Sequence, residues 1–133
     1  MIIDESCGDM INTTKVYVHD DILISLDFER VNRKMTLKFN SKSGNGKIYL
    51  IEFFNVIGFE MTSCNFWGSS EYVLDFEYIE KNSRVIIPKL QKKWLDIPHS
   101  MNSGMYNKHI ETVFTFSSGD QLIIACEKIE ILI

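Results

Sequence analysis

Alternation of apolar and polar residues with a period of two is the feature that most constrains the fold of this chain. It covers Ile22, Ile24, Leu26 and Phe28 before a polar turn at 31–34, and Met35, Leu37 and Phe39 after that turn. Successive side chains of a strand point to opposite faces, so each segment has one apolar face. Two such strands around a short polar turn predict an antiparallel hairpin.

Further strand patterns follow along the chain. In residues 72–79 the apolar face is predicted to hold Tyr72, Leu74, Phe76 and Tyr78, and later strands are predicted at 110–116, 121–126 and 129–133. In all we expect seven to eight strands with one or two short helices. The predicted fold is therefore mainly β, an antiparallel β-sandwich or a strongly curved half-barrel.

The chain of 133 residues is long enough to bury one core, and we expect a single domain over residues 1–133. Residues 1–14 have weak patterning and are predicted to be frayed or an edge strand. Residues 81–108 are predicted to be irregular, with a short helix that has Pro88 in its first turn and ends before Pro98.

Composition narrows the class of protein. The hydrophobic content of 45% and charged content of 24% are ordinary for a globular protein. The start of the chain has no pattern of a secretory signal, and the three cysteines form no C-x-x-C pair, so we expect a cytoplasmic protein. The net charge of −4 disfavours direct nucleic-acid binding and is compatible with a basic protein partner.

The segment His19-Asp20-Asp21 is the first candidate for chemistry, since a histidine beside two carboxylates can start a metal or acid/base site. It leads directly into a strand, however. Aspartates before a strand commonly form turns through their own side chains. We therefore interpret the segment as a turn, with the histidine bonded to neighbouring backbone, that does no chemistry.

A metal centre is the second candidate. His19, His99 and His109 are the three histidines, and an open zinc site uses three protein ligands. No two of them have a local metal-binding spacing, so only the fold can bring them together. We predict no metal and no cofactor, and we find no nucleophile elbow or phosphate-binding glycine loop.

Paired carboxylates occur at Asp27 and Glu29 and at Asp75 and Glu77. Residues two apart share one face of a strand, so each pair is a possible acid/base pair. The outward face of an amphipathic strand is also where solvated charges normally lie. We predict surface charges rather than catalytic residues, and no enzyme activity.

Charge order around residue 80 leaves two alternatives. Residues 71–80 contain four acids and no base, whereas residues 81–93 contain five bases and no acid. The two segments either contact and neutralise each other, or present an acidic strand face to a basic partner beside a basic helix. Trp67 and Trp94 lie outside the alternating strands, and tryptophan is enriched at interface hot spots.

The layout resembles a group of small bacterial all-β proteins. The resemblance rests on the His19-Asp20-Asp21 opening, the hairpin ISLDFERVNRKMTLKF at 24–39 and HIETVFTFSSGDQLIIACEKIEI at 109–131. That group includes immunity proteins of polymorphic toxin and contact-dependent growth inhibition systems. The resemblance covers most of the chain from residue 17 onward.

The resemblance implies a non-enzymatic, cytoplasmic inhibitor that binds a cognate toxin domain, often a nuclease, and occludes its active site. We predict partner-binding roles for Asp75, Glu77, Trp67 and Trp94. Two alternatives stay open. One is a small-molecule or carbohydrate-binding module with Tyr49, Tyr72, Tyr78 and Trp67 around a groove; the other is an enzyme with a metal held by the three histidines.

Overall fold

The predicted alternation of the second hairpin strand is confirmed in a computed structural model of the chain. Met35, Leu37 and Phe39 are fully buried, and the residues between them face outward or are half-buried. The structure describes residues 1–13, 18–42, 46–62, 72–96 and 106–132, with backbone only at 12–13 and 94–96. Within these residues the chain forms nine strands, two α-helices and one 3-10 helix.

Two antiparallel sheets contain all of these strands. The first has the order β1-β9-β4-β3-β2, and the second has the order β5-β8-β7-β6. Their bounds are β1 Ile2–Ile3, β2 Ile22–Glu29, β3 Lys34–Asn40, β4 Ile48–Phe54, β5 Gly58–Met61, β6 Val73–Tyr78, β7 Ile110–Phe116, β8 Gln121–Cys126 and β9 Lys128–Leu132. The prediction of a mainly β, sandwich-like fold is thus confirmed, with one strand more than expected.

A bent two-stranded ribbon passes through both sheets. β4 pairs with β9 as far as Phe54 opposite Lys128, and β5 continues the same pairing with β8 from Gly58 opposite Ala125. Hydrogen bonds from Glu127 N to Phe54 O and from Ile57 N to Ala125 O, each 3.0 Å, carry the ladder through the bend. Asn55, with φ of 51°, makes the turn, as expected of a residue type that tolerates the left-handed region.

The two sheets also meet at β2 and β6. Ile22 forms an isolated antiparallel bridge with Tyr72, and Val73 exchanges hydrogen bonds with Asp20 and Asp21. Between the sheets an aromatic core is centred on Phe114, which stacks on Phe76 with ring centroids 4.1 Å apart and lies 5.8 Å from Phe39. Residues from both sheets therefore share one hydrophobic core.

Two β-bulges change which side chains face that core. In β2 the register shifts between Leu23 and Ser25, and in β6 between Val73 and Asp75. A bulge adds one residue to one strand and so reverses the alternation beyond it. Ile24 and Leu74, both predicted to face inward, are instead 47% and 39% exposed.

A helix, α2 (Ile86–Asp96), covers part of the outer face of the second sheet. Ile86 and Ile87 are buried there against Ala125. At Gly58 a Cβ atom would lie only 2.8 Å from the Ile86 side chain, so glycine permits the close approach of helix and strand. Pro88 lies in the first turn, as predicted, and a 3-10 helix (Lys81–Ser83) precedes α2. The other helix, α1 (Met10–Thr13), contacts β6.

Candidate functional site

Asp75 and Glu77 project side by side from β6. They lie opposite Thr115 and Val113 of β7, and both are exposed. The bulge at Leu74 places them on the outer face, while Val73 and Phe76 are buried. The predicted pair is therefore an exposed surface feature on the second sheet.

The two carboxyl groups interact with each other. A hydrogen bond with Asp75 and the negative charge of Asp75 both raise the pKa of Glu77, and partial burial adds to them. Asp75 Oδ1 also accepts a hydrogen bond of 3.0 Å from Phe76 N. Two carboxylates this close repel when both are ionised, so the pair favours a shared proton or a bound cation.

The acidic segment 71–80 and the basic segment 81–93 do not neutralise each other through ion pairs in the part that the structure describes, residues 72–93. No base of this range lies within 4.0 Å of a carboxylate of the same range. Lys89 instead contacts Glu60 of β5, with Nζ 2.5 Å from Oε1. Lys92 and Lys93 are exposed on α2. The acidic strand and the basic helix thus lie on one side of the second sheet as separate charged surfaces.

The predicted tryptophan anchors are outside what the structure describes. Trp67 lies in the range 63–71, and Trp94 belongs to the backbone of α2 without a described side chain. The structure consequently brings together two of the four predicted partner-binding residues, and the bulge residue Leu74 joins them as an exposed apolar neighbour.

The His19-Asp20-Asp21 segment has two different environments. His19 Nδ1 lies 3.2 Å from Asp20 Oδ1, and both side chains are about half exposed. Asp20 adopts φ of 70°, which forms the turn. Asp21 is buried and accepts hydrogen bonds from Tyr49 Oη and Lys42 N. Its carboxylate therefore joins the strand to the loop that starts at residue 41.

The tyrosine groove that would favour a carbohydrate module does not form as an exposed row. Tyr49 is 8% exposed and its hydroxyl is bonded to Asp21. Tyr72 and Tyr78 are half-buried. Trp67, the fourth member, lies outside the described residues.

His109 is buried beside a cavity of about 310 Å³, at the bend of the ribbon. The cavity is lined by Arg33, Asn55, Val56, Ile57, Tyr106, His109 and Glu127. Among the described residues neither ring nitrogen of His109 has a hydrogen-bond partner, and Nε2 lies 3.9 Å from Glu127 Oε1. Burial lowers the pKa of His109; Arg33 and Arg84 add to this, while Glu127 opposes it.

A second cavity of about 520 Å³ adjoins the first, and Tyr106 lines both. The charged residues that line this second cavity are Lys81 and Arg84, and Gln91 and Asn107 are its neutral polar residues. Arg84 donates from a terminal nitrogen to Tyr78 Oη at 3.3 Å, while its buried Nε has no hydrogen-bond partner within the described segments.

A three-histidine metal centre is not formed by the described residues, which contain no group of three metal-ligating side chains. His19 is exposed before β2 and His109 is buried before β7, while His99 lies outside the described residues. Among the helices of the described segments, none is long and apolar enough to cross a membrane.

Comparisons of the chain with protein-family models, with curated proteins and with solved structures find no match.

Sequence reasoning missed two residues that matter in this region. The predicted strand at 110–116 gives Glu111 no special role, yet Glu111 is fully buried and accepts hydrogen bonds from Val85 N at 2.8 Å and Ile87 N at 2.5 Å. It thereby caps α2 with a carboxylate, which the positive end of a helix favours. The sequence offers His109 only as a possible zinc ligand. No local pattern marks either role, because their partners lie far along the chain.

Proposed function

We propose that this chain is a non-enzymatic immunity protein of the bacterial cytoplasm. It binds a cognate toxin domain, for which a nuclease is the expected class, and neutralises it by occluding the active site. The proposal combines the family resemblance of the sequence with the surface around β6.

The observation that carries the proposal is the Asp75–Glu77 pair. Two exposed carboxyl groups project from one face of β6, their interaction raises the pKa of Glu77, and no base of the described chain lies within 4.0 Å of either one. Like charges on neighbouring sites of a strand are destabilising by themselves. A cationic side chain from a partner relieves that repulsion, and an arginine can bond to both carboxylates.

Such a surface suits a nucleic-acid-processing partner in particular. The substrate cleft of a nuclease is cationic because it binds phosphates. An acidic protein with a net charge of −4 is steered toward such a cleft, and the paired carboxylates substitute for phosphate charge.

Charge alone gives rate and specificity rather than tight affinity, so apolar anchors are needed. Leu74 is 39% exposed beside the acidic pair and is one such anchor. Trp67 and Trp94 remain the proposed aromatic anchors. The proposed interface has desolvated apolar groups at its centre and the carboxylates around them.

The test is a pull-down in which the product of the gene immediately upstream is co-expressed as bait. The variant Asp75→Lys/Glu77→Lys reverses the acidic pair. The matched control is Asp27→Lys/Glu29→Lys, because these residues also form an exposed acidic pair two apart, on β2 of the other sheet. Glu29 lies opposite Lys34 in the ladder, and its carboxylate accepts a hydrogen bond of 2.6 Å from Asn32 Nδ2.

We expect a one-to-one complex with a basic toxin domain, weakened at least about tenfold by the β6 reversal and by added salt, and little changed by the β2 control. Equal weakening by both variants would point to net charge rather than this surface. Absence of any complex with the upstream product would refute the immunity proposal for this pair of genes.

A further inference from the structure

His109 stands out because a buried polar side chain without hydrogen bonds is costly. It is 5% exposed, and neither ring nitrogen has a hydrogen-bond partner in the part of the chain that the structure describes. Buried polar groups are normally satisfied by protein or by a bound molecule, and exceptions call for an explanation. Here the side chain lines a cavity, so a bound molecule can supply a partner for one of the two nitrogens.

The cavity has rigid walls. Two backbone turns with positive φ line it, at Arg33 and Asn55, each with φ of 51°. Val56 N donates to Arg33 O at 2.7 Å and so ties the β2–β3 turn to the bend between β4 and β5. On the opposite side, His109 N donates to Tyr106 O at 3.1 Å, and the two rings meet edge to face with centroids 5.4 Å apart. The backbone segments that line the cavity, and the ring pair of Tyr106 and His109, are thus held in place before a ligand arrives.

One end of the cavity is suited to a primary ammonium group. Nε2 of His109 and Oε1 of Glu127 lie 3.9 Å apart, too far for a direct hydrogen bond. A nitrogen with two or more hydrogens, placed between them, reaches both acceptors at about 2.9 Å. A neutral imidazole with its hydrogen on Nδ1 accepts at Nε2, and Glu127 supplies the negative charge.

Arg33, an exposed residue of the same lining, can supply the contact for an anion. The Arg33 guanidinium can bond to a carboxylate with two parallel hydrogen bonds, and the Asn55 amide lies in the same lining. Val56, Ile57 and the Tyr106 ring provide apolar surface between these polar groups. The volume of about 310 Å³ is at the lower end of the range for small-molecule sites.

We propose that this cavity binds a small zwitterion that carries both a primary ammonium and a carboxylate, the chemistry of a free amino acid with an apolar side chain. The ammonium lies between His109 and Glu127, and the carboxylate lies on Arg33. This site is separate from the acidic pair on β6, so the proposed ligand binding does not depend on whether the chain binds a toxin domain.

The test is an NMR titration of the full-length protein with the common L-amino acids at millimolar concentration. For L-leucine, two analogues separate the ends of the ligand: 4-methylpentanoic acid lacks the ammonium, and isopentylamine lacks the carboxylate. We expect an apolar amino acid to shift the amide signals of Ile57, His109 and Glu127. Each analogue should bind at least about tenfold more weakly, because each loses a charge-assisted contact.

The variant Glu127→Gln tests the ammonium contact while preserving the fold, because the Glu127 side chain is 43% exposed and its backbone bond to Phe54 is retained. Glu130→Gln, on β9 and outside the cavity, is the matched control. We expect the first variant to weaken amino-acid binding at least about tenfold and the second to leave it unchanged.

Three outcomes would overturn the proposal. One is that no amino acid shifts the signals of the cavity residues. Another is that 4-methylpentanoic acid or isopentylamine binds as tightly as L-leucine, which would indicate a site for a single charge. The third is that Glu127→Gln binds amino acids with unchanged affinity.

Discussion

The hydroxyl of Tyr49 donates a hydrogen bond of 2.5 Å to Oδ2 of Asp21, and both side chains are buried. Asp21 Oδ1 accepts a second bond, of 3.0 Å, from Lys42 N. Burial and the Asp21 carboxylate together raise the pKa of Tyr49 well above its ordinary value, so it remains a donor throughout the physiological range. This contact joins β4 to the start of β2 and gives the aspartate of the His19-Asp20-Asp21 segment a structural role.

Replacement of Tyr49 by phenylalanine should therefore destabilise the fold. It removes one partner of a buried carboxylate while keeping the ring, and we expect a loss of about 1–3 kcal/mol in the free energy of unfolding. Chemical denaturation followed by circular dichroism measures it. The control is the double variant His19→Ala/Asp20→Ala. Its two side chains are about half exposed, so their removal should lower the free energy of unfolding by less. A folded double variant that loses partner binding would overturn the structural interpretation of this segment.

Glu111 should be essential for the position of α2. Glu111→Gln keeps the size of the side chain but removes the charge and places an amide where Val85 N and Ile87 N both donate. We expect a loss of about 1–3 kcal/mol in unfolding free energy. Glu77→Gln is the matched control, because it lies on the neighbouring strand, is exposed, and loses only repulsion from Asp75. Equal stability of the two variants would contradict the capping role.

His109 should make stability depend on pH in a defined direction. Its pKa in the fold is lowered by burial below the ordinary 6.5, so below that pH the unfolded chain takes up a proton that the folded chain does not. The contribution of the neutral ring is present above about pH 6.5 and is lost as the pH falls through the lowered pKa. Titrating carboxylates contribute the same pH dependence of the unfolding free energy to wild type and to His109→Gln. We therefore expect the unfolding free energy of the variant to fall less steeply as the pH is lowered. Parallel curves of unfolding free energy against pH would contradict this.

The Asp75–Glu77 contact is measurable by itself. Because the Asp75 hydrogen bond and charge raise the pKa of Glu77, Asp75→Asn should return that pKa toward its ordinary value. Carbon-13 NMR titration of the glutamate carboxyl groups gives the two values, and Glu80, exposed and outside β6, serves as an internal reference. An unchanged pKa of Glu77 would mean that the two carboxyl groups do not interact in solution.

The C-terminal strand should be indispensable. Ile131 is 7% exposed, lies opposite Ile51, and its N–H donates to Met1 O at 2.9 Å. Deletion of residues 130–133 removes that pairing, and Ile131→Ala alone should cost about 2–5 kcal/mol. Leu132→Ala, 39% exposed on the same strand, is the control with a smaller expected cost. A melting temperature unchanged by the deletion would show that this strand contributes nothing to the core.

The predictability of the fold differs between neighbouring strands. In β3 the alternation correctly predicted the burial of Leu37 and Phe39, because the strand is regular and paired on both sides. In β2 and β6 the same reasoning placed Ile24 and Leu74 on the wrong face. A bulge depends on how two strands pair, and pairing is a property of both strands rather than of the residues within one of them.

Some features of the candidate site could be predicted from the sequence, and others could not. The sequence alone determined that the chain is mainly β, that α2 begins around Pro88, and that Asp75 and Glu77 share one face, since these follow from backbone periodicities acting over a few residues. Only the tertiary structure decided that Asp21 is buried against Tyr49, that Glu111 caps a helix 24 residues away, and that His109 lies beside Glu127 in a cavity. Each of these depends on burial and on a partner brought close by the packing of separate elements, which no local pattern encodes.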